Sequence, residues 1–313
     1  MAPRRIRTVV AARVPAGADV VSFVLKDPEG WELPPFRPGA HVDLYLPGGL
    51  VRTYSLINAP ADKHRYVIAV KREAAGRGGS RLLCDRLEAG AEIGVGLPRG
   101  GLELGPQPQV FIAGGIGVTP FLSAADALLR AGRRDFMLHV ITRGAPPLAS
   151  LVAPLVAAGV AQVHDTRAGP RPRLGPLLEA FGDAAAASCC GPEALLAGFT
   201  AATAHWPAHR VHVERFVAPP LAAPPEARPY RLVLSRSGAE IEVAAGASML
   251  DALTAHGIPI PQSCGGGICG LCKVDWIEGE PLHRDRALSP DERHRSLLAC
   301  VALSAGPRLV VDL

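Results

Sequence analysis

The pattern of apolar and polar positions changes twice along the chain. In residues 1–105, short stretches of β-branched or alternating apolar residues are separated by Gly/Pro turns, which is typical of strands in an antiparallel protein. The predicted strands are 20–25, 41–46, 51–56, 66–70 and 93–97. These strands predict a small antiparallel β-barrel. One helix is predicted in this part, capped by Ser80 and ending at Leu87.

From residue 110 onward, predicted strands alternate with predicted helices. The strands are 110–113, 136–141, 160–164, 187–190 and 211–214, and the helices are 120–131, 148–158, 174–181 and 192–204. This βαβ alternation predicts a parallel sheet covered on both faces.

The last part of the chain follows a proline-rich stretch, 218–229, which is predicted to be a semi-rigid linker. Beyond it we predict a hairpin of strands 232–234 and 241–243, a helix over 248–255, and strands at 273–277 and 309–311. The predicted fold is therefore multidomain. A barrel spans 1–105, an α/β domain 106–217, the linker 218–229 and an α+β domain 230–313.

Composition narrows the classes of function. Of the 313 residues, 48% are hydrophobic and 20% charged, as in ordinary globular proteins. No apolar run is long enough for a membrane span and no secretion signal is visible, so we expect a cytoplasmic protein without a membrane contact. A net charge of +4, 5% aromatic residues and the lack of a Lys/Arg-rich stripe argue against nucleic-acid binding.

Four of the seven cysteines are spaced as ligands of a plant-type [2Fe-2S] cluster. Cys264, Cys269 and Cys272 follow the pattern C-x4-C-x2-C, and Cys300 supplies a fourth thiolate after 27 intervening residues. The glycines between them suit a loop that turns tightly and aims N–H groups at sulfur. A structural zinc site or buried free thiols are the alternatives, but zinc ligands usually come as two C-x2-C pairs.

Three further motifs suit anionic cofactors. Arg52-Thr53-Tyr54-Ser55 puts a cation, an aromatic ring and a hydroxyl on one strand, and a glycine turn over 76–80 opens a helix that suits a phosphate. Another glycine loop, 114–120, leads from a strand into a helix beginning at Pro120 and suits a pyrophosphate. Taken alone, each has a plain structural alternative: a surface Arg–Tyr pair, a flexible turn or an ordinary glycine turn.

The order of these motifs resembles the phthalate dioxygenase reductase family over essentially the whole chain. In that family a flavin barrel, an NAD domain and a plant-type ferredoxin domain follow one another. The matching motifs are Arg52-Thr53-Tyr54-Ser55 (R-x-Y-S), Gly78-Gly79-Ser80, Gly114-Gly115-Ile116-Gly117-Val118-Thr119-Pro120, Cys190-Gly191-Pro192 (C-G-P) and Glu214-Arg215-Phe216 (E-x-F).

The resemblance implies a role for each matched residue. FMN is held by the first motif and by the phosphate turn, with Tyr54 against its ring system and Thr119 approaching from the neighbouring domain. NADH is held by the glycine loop and the C-G-P turn. The residues placed at the reacting atoms are Ser55 near the reacting flavin nitrogen, Cys190 where the nicotinamide arrives, and Phe216 over the other flavin face.

The activity implied by the resemblance is an NADH-dependent oxidoreductase. It passes electrons through FMN and the [2Fe-2S] cluster to a Rieske-type oxygenase that hydroxylates or O-demethylates a small aromatic acid. We expect a transient contact with that oxygenase and a monomeric chain. The alternatives are a reductase for a cytochrome P450 or other haem acceptor, and a non-catalytic redox sensor.

Two departures from the family pattern affect these expectations. An acidic residue usually follows the first cluster cysteine, where this chain has Gly265. After the second strand of the NAD domain this chain has Arg143-Gly144-Ala145-Pro146-Pro147 in place of the usual Arg-Ser. The second departure leaves the choice between NADH and NADPH open.

Overall fold

The chain folds into two compact units in a computed structural model that describes residues 5–74, 78–216, 221 and 227–313. The first unit comprises Met1–Leu44 and Thr53–Arg215, and the second comprises Tyr45–Arg52 and Phe216–Leu313. Gly76, Arg77 and most of the predicted linker lie outside the described residues. In the described part of the chain, no helix has the length and apolar character needed to cross a membrane.

The N-terminal strands form one six-stranded sheet in the order β4-β3-β6-β1-β2-β5. The elements are β1 (Arg5–Gly17), β2 (Val20–Lys26), β3 (His41–Tyr45), β4 (Val51–Ser55), β5 (Tyr66–Lys71), α1 (Gly79–Arg86) and β6 (Glu92–Gly96). Leu56, directly after β4, forms an antiparallel bridge with Ile68 in β5. That bridge joins the two ends of the sheet, so the predicted antiparallel barrel is confirmed.

One prediction for this region was wrong, and one strand was not predicted. Strand β1 was not predicted, because register shifts between Val10 and Ala12 and between Pro15 and Gly17 break the regular alternation of apolar residues. Ser80 does not cap α1. The helix begins one residue earlier, after Gly78 in the left-handed region at φ +81°, and the Ser80 hydroxyl instead accepts a hydrogen bond from the backbone N–H of Glu73.

The middle of the chain forms a five-stranded parallel sheet in the order β11-β10-β7-β8-β9. Its elements are β7 (Gln109–Gly114), α2 (Thr119–Arg130), β8 (Phe136–Thr142), α3 (Ala149–Ala157), β9 (Ala161–Asp165), α4 (Leu174–Leu178), β10 (Ala186–Cys190), α5 (Glu193–Ala202) and β11 (Val211–Glu214). After β7 the chain adds β8 and β9 on one side and then β10 and β11 on the other. The carboxyl end of β7 is therefore a topological switch point, where α/β sheets bind ligands.

The barrel and the parallel sheet share a hydrophobic core. Phe111, Phe121 and Phe136 pack on one face of the sheet in the same buried cluster as Val20 and Ile57 of the barrel. A second buried cluster covers the opposite face around Phe199. This shared burial explains why most of the two segments predicted as separate domains, Met1–Leu44 with Thr53–Arg215, lies in one compact unit.

The C-terminal part forms a five-stranded sheet in the order β13-β12-β16-β14-β15. Its elements are β12 (Tyr230–Leu234), β13 (Glu240–Val243), α6 (Met249–Ala255), β14 (Lys273–Leu282), α7 (Pro290–Arg293), β15 (Ser296–Leu298) and β16 (Leu303–Val311). Ser248 caps α6 by accepting a hydrogen bond from the N–H of Asp251 at 3.2 Å. The short elements α7 and β15 were not predicted, because neither is long enough to show a period.

Two glycines at the switch point allow two loops to pack backbone to backbone. A Cβ on Gly117 would lie 2.2 Å from the carbonyl oxygen of Cys190, and one on Gly114 would lie 2.6 Å from Cδ of Pro192. Backbone atoms cannot move aside as a flexible side chain does. These two glycines are therefore required by chain packing, independently of any bound nucleotide.

We predict that Gly117→Ala lowers the free energy of unfolding by about 1 to 3 kcal/mol, because the added methyl group overpacks this contact. Chemical denaturation followed by circular dichroism measures the change. The matched control is Gly198→Ala within α5, where the new methyl group meets Leu174 at an ordinary 3.7 Å and the helix gains about 0.5 to 1 kcal/mol. Equal stability of Gly117→Ala and the wild type would contradict the packing role.

Candidate functional site

The carboxyl ends of β7, β10 and β11 bring three of the predicted motifs together. Cys190 at the end of β10 lies in register with Ala113 of β7 and with Glu214 of β11. The glycine loop continues β7 as a 3-10 turn, Gly115–Val118, and leads into α2. This arrangement places the glycine loop, the C-G-P turn and the E-x-F segment at one edge of the sheet.

Within the glycine loop, Gly115 differs from its neighbours. It lies in the left-handed region at φ +54°, and no atom lies within 4 Å of its Cβ position. Its half-buried backbone has open space on the Cβ side, which suits the close approach of a pyrophosphate. Helix α2 begins at Thr119, one residue before the predicted Pro120, and the Thr119 hydroxyl donates to the carbonyl of Ile116 at 3.0 Å.

The C-G-P turn is a rigid start to α5. Pro192 is the residue that precedes the helix. A Cβ added to Gly191 would lie 2.9 Å from the Cα of Gly114, so these two backbones are in close contact. The Cys190 side chain is fully buried. Burial first, and then Glu214 and Cys189, raise the pKa of Cys190, so this group is a neutral thiol.

Glu214 links the parallel sheet to the barrel strand that carries the R-x-Y-S motif. The Ser55 hydroxyl, 5% exposed at the end of β4, hydrogen-bonds the Glu214 carboxyl. Burial raises the pKa of Glu214 from its ordinary 4.5 to about 7, while the bond to Ser55 opposes this rise. The site therefore holds a carboxyl that titrates near neutral pH beside the serine predicted to meet the flavin.

The barrel strand β4 is held by an ion pair with a buried carboxylate and a partly exposed arginine, which the sequence did not reveal. Asp43, 3% exposed in β3, accepts hydrogen bonds from both terminal nitrogens of Arg99 and, at 2.6 Å, from the Thr53 hydroxyl. These contacts fix Thr53 on one side of β4. Its half-buried neighbours Arg52 and Tyr54 therefore have a set orientation on the other side, as strand alternation requires.

The predicted phosphate turn contributes backbone and charge at the start of α1. Gly78 precedes the helix and Gly79 is buried in its first turn. A groove of about 400 Å³ lies beside Gly78, and its lining includes Arg72, Arg81 and Arg86. Arg72 is paired with Asp85 at 2.8 Å. The helix start and these arginines make the groove favourable for an anion.

Phe216, the last predicted residue of the flavin and nicotinamide site, is 45% exposed. It follows β11 by two residues and belongs to the second compact unit. A ring exposed to this degree has less protein packed around it than a buried aromatic side chain.

We predict that Glu214→Gln stabilises the protein above neutral pH. A raised carboxyl pKa means that the folded chain holds the proton more tightly than the unfolded chain, so its destabilising effect grows as the pH rises from about 4.5 to about 7. We expect a gain of about 1 to 3 kcal/mol at pH 8 that disappears below pH 4.5. Urea titrations across this range measure it, with Glu179→Gln, an exposed carboxyl of the same unit, as the control.

The four predicted cluster cysteines form two pairs. In the described part of the chain, no three His, Cys, Asp or Glu side chains are placed to share a single metal ion. Instead the thiol groups of Cys264 and Cys269 hydrogen-bond each other, as do those of Cys272 and Cys300. A dinuclear cluster held by four cysteines takes two thiolates at each iron, so the donor set and its pairing fit [2Fe-2S].

The loop around the cysteines supplies N–H groups to sulfur. The N–H of Gly266 lies 3.4 Å from the sulfur of Cys264. The pKa of Cys264 is lowered, first by the bond from Cys269 and then by three backbone N–H groups, although burial opposes this. Such donors stabilise a thiolate, which is the form that binds iron. Ile268 at the outer side of the loop is 51% exposed.

Comparison with known proteins gives consistent matches over the whole chain. Residues 232–305 match the 2Fe-2S iron-sulfur cluster binding domain. Phthalate dioxygenase reductase from Burkholderia cepacia is 38% identical over 315 residues, covering 98% of this chain and 97% of that protein. A solved structure of phthalate dioxygenase reductase matches with a TM-score of 0.74 and 36% identity, covering 99% of this chain and 98% of that one.

An intact type IV self-sufficient cytochrome P450 monooxygenase also matches, with a TM-score of 0.73 and 33% identity over 99% of this chain and 41% of that one.

The predicted fold class is confirmed: a flavin-type barrel, a parallel-sheet domain and a plant-type ferredoxin domain. The predicted class of enzyme is confirmed as well: an oxidoreductase of the oxygenase-reductase type, with a 2Fe-2S iron-sulfur cluster binding domain. This chain belongs to the phthalate dioxygenase reductase family.

Proposed function

We propose that this chain carries electrons from NADH through FMN and the [2Fe-2S] cluster to a Rieske-type oxygenase that hydroxylates or O-demethylates a small aromatic acid. The observation that carries the proposal is the hydrogen bond between Ser55 of the barrel and Glu214 of the sheet, beside Cys190. It brings the predicted flavin strand and the predicted nicotinamide turn to one place. The four paired cysteines provide the outlet for single electrons.

Electron counting explains why the three groups occur in one chain. NADH gives a hydride, which carries two electrons, and an iron–sulfur cluster accepts one electron at a time. Bound FMN supplies the conversion between the two. The protein's own task is to hold the nicotinamide against the flavin and to keep water and oxygen away, and the site contains no residue that must act as a general base.

The flavin is held at two ends. Arg52 and the turn Gly78-Gly79-Ser80 bind its phosphate, and Thr53 supports the strand by its bond to Asp43 at 2.6 Å. Tyr54 lies against the ring system, and Ser55 reaches the reacting nitrogen. Because Ser55 already hydrogen-bonds Glu214, the orientation of its hydroxyl is set before the flavin is reduced.

The nucleotide is held at the switch point of the sheet. The open backbone at Gly115 receives the pyrophosphate, with Gly114, Gly117, Thr119 and Pro120 shaping the loop. Cys190, Gly191 and Pro192 border the nicotinamide. The buried neutral thiol of Cys190 offers a small apolar contact without a charge, and Phe216 leaves the flavin face when the nicotinamide arrives.

A haem acceptor is the second candidate for the partner. The similarity to a self-sufficient cytochrome P450 over 99% of this chain favours it, since in that protein a similar region accompanies a P450. Mixing the NADH-reduced protein with a purified Rieske oxygenase or with a P450 separates the two, because only the true acceptor is reduced rapidly. We place the contact at the cluster loop near Ile268, and we propose a monomeric, cytoplasmic chain.

The central test is Cys272→Ser. We predict loss of the cluster's visible absorption and of electron transfer to the oxygenase, with reduction of the flavin by NADH unchanged. Stopped-flow absorbance resolves the two steps. Cys84→Ser, which changes a buried cysteine outside the cluster, is the control and retains both. Loss of flavin reduction in Cys272→Ser alone would contradict a linear route from flavin to cluster.

We further predict that Arg52→Ala weakens FMN binding by about 10- to 100-fold, the effect of losing a charge-assisted hydrogen bond to phosphate. Fluorescence titration of the flavin-free protein measures the affinity. Arg65→Ala removes an exposed arginine paired with Asp62 and leaves the affinity unchanged. Full flavin affinity in Arg52→Ala would show that β4 does not hold the phosphate.

A further inference from the structure

A group of charged side chains is buried behind the cluster loop. Asp285 is 6% exposed, and its Oδ2 accepts hydrogen bonds from the N–H of Leu288 at 2.9 Å and from Arg293 Nη2 at 3.4 Å. The same Arg293 nitrogen donates to the Asp285 carbonyl at 2.7 Å. His283 Nδ1 lies 3.7 Å from Oδ1 of the carboxylate. Arg293 therefore holds both the backbone and the side chain of Asp285.

This group is incompletely satisfied. Among the described residues, Asp285 Oδ1, His283 Nδ1 and Arg293 Nε are buried without a hydrogen-bond partner. Burial lowers the pKa of His283, so the imidazole is neutral near pH 7 and does not add a second positive charge. A buried carboxylate with one long contact to a guanidinium is costly for stability alone. Its position suggests what the charge does.

The carboxylate residue lies directly against the cluster loop. A Cβ on Gly267 would lie 2.9 Å from the Asp285 Cα and 3.1 Å from its Cβ, so only glycine fits here. The next residue, Arg286, donates its N–H to the Gly267 carbonyl at 2.9 Å. A Cβ on Gly267 would also lie 2.8 Å from Cγ2 of Val301, the residue that follows the proposed ligand Cys300. Residues 285 and 286 thus hold a peptide of the cluster loop that packs beside a proposed cluster ligand.

The two charges of the pair lie at unequal depths. The Asp285 side chain is 1% exposed, whereas the Arg293 side chain is 37% exposed. The negative charge therefore lies in the low-dielectric interior beside the loop, and the positive charge is partly screened by water. A negative charge close to an iron–sulfur cluster disfavours adding an electron, because reduction adds a further negative charge.

We propose that Asp285 is a positioning residue for the [2Fe-2S] cluster, which holds the Gly267 peptide of the cluster loop in place and lowers the cluster's reduction potential, while Arg293 opposes this charge. The inference rests on the proposed ligands Cys264, Cys269, Cys272 and Cys300. One electron enters from the reduced flavin and one leaves to the acceptor in each cycle, and no bond or proton is exchanged. A lower potential favours the outward step.

The test uses the full-length protein with its flavin and cluster. Asp285→Asn keeps the shape and removes the charge, and we expect a less negative midpoint potential. The expected size is at least a tenfold change in the equilibrium between flavin and cluster, which corresponds to about 59 mV for one electron. Arg293→Gln removes the opposing charge and shifts the potential the other way. Spectroelectrochemical titration measures both, and electron paramagnetic resonance reports the Cys300 environment.

Glu280→Gln is the matched control, since it removes an exposed carboxylate of β14 in the same unit and leaves the potential unchanged. A merely structural role would move both variants in the same direction or leave both unchanged, and either result overturns the proposal. If Asp285→Asn does not retain its cluster, the potential of Arg293→Gln tests the proposal by itself. A midpoint potential of Arg293→Gln that is unchanged or less negative than that of the wild type refutes the proposal. A wild-type protein without the cluster's absorption would instead refute the proposed ligands.

Discussion

Backbone packing between Gly117 and Cys190 is the constraint on which the geometry of the first unit depends. A Cβ at Gly117 would lie 2.2 Å from the Cys190 carbonyl oxygen. The backbones of the loop after β7 and of the end of β10 are therefore in direct contact. The approach brings Cys190 beside the glycine loop and, through its register with Glu214, fixes the position of the carboxyl that Ser55 meets. The chemistry of the site follows from that contact.

Buried charge serves a different purpose in each part of the chain. The pair of Asp43 and Arg99 is bidentate and lies under strand β4, so it contributes orientation, since breaking it leaves a charge unpaired in the core. Glu214 has a serine rather than a cation as its partner, and the result is a pKa near neutrality. Asp285 has a distant guanidinium and two unsatisfied neighbours, which leaves net charge beside Gly267 of the predicted cluster loop.

The sequence predicts most local elements because they leave periodic signals, and it suggests the cluster ligands because their spacing is characteristic. The parallel strands, the helices between them and the C-x4-C-x2-C pattern each occur within a short window. Strand β1 was not predicted because two bulges interrupt its alternation of apolar and polar residues. The elements α7 and β15 were not predicted because they are short. Asp43 and Arg99 are 56 positions apart, so no local pattern connects them. The packing requirement for glycine at position 117 depends on its contact with Cys190, 73 positions away, so no local pattern indicates it.

The glycine loop shows how one motif meets two demands that sequence alone does not separate. Other protein atoms occupy the space where a Cβ of Gly114 or Gly117 would lie, whereas the Cβ position of Gly115, at φ +54°, is open. Of these three glycines, Gly115 is thus the one that a ligand can approach at the backbone. The other two allow the loop to pack against the end of β10. The glycines of the cluster loop differ in the same way. Asp285 and Val301 occupy the space where a Cβ of Gly267 would lie, while Gly270 has no atom within 4 Å of its Cβ position. In both loops, the glycines that pack against protein set the position of the glycine that remains open.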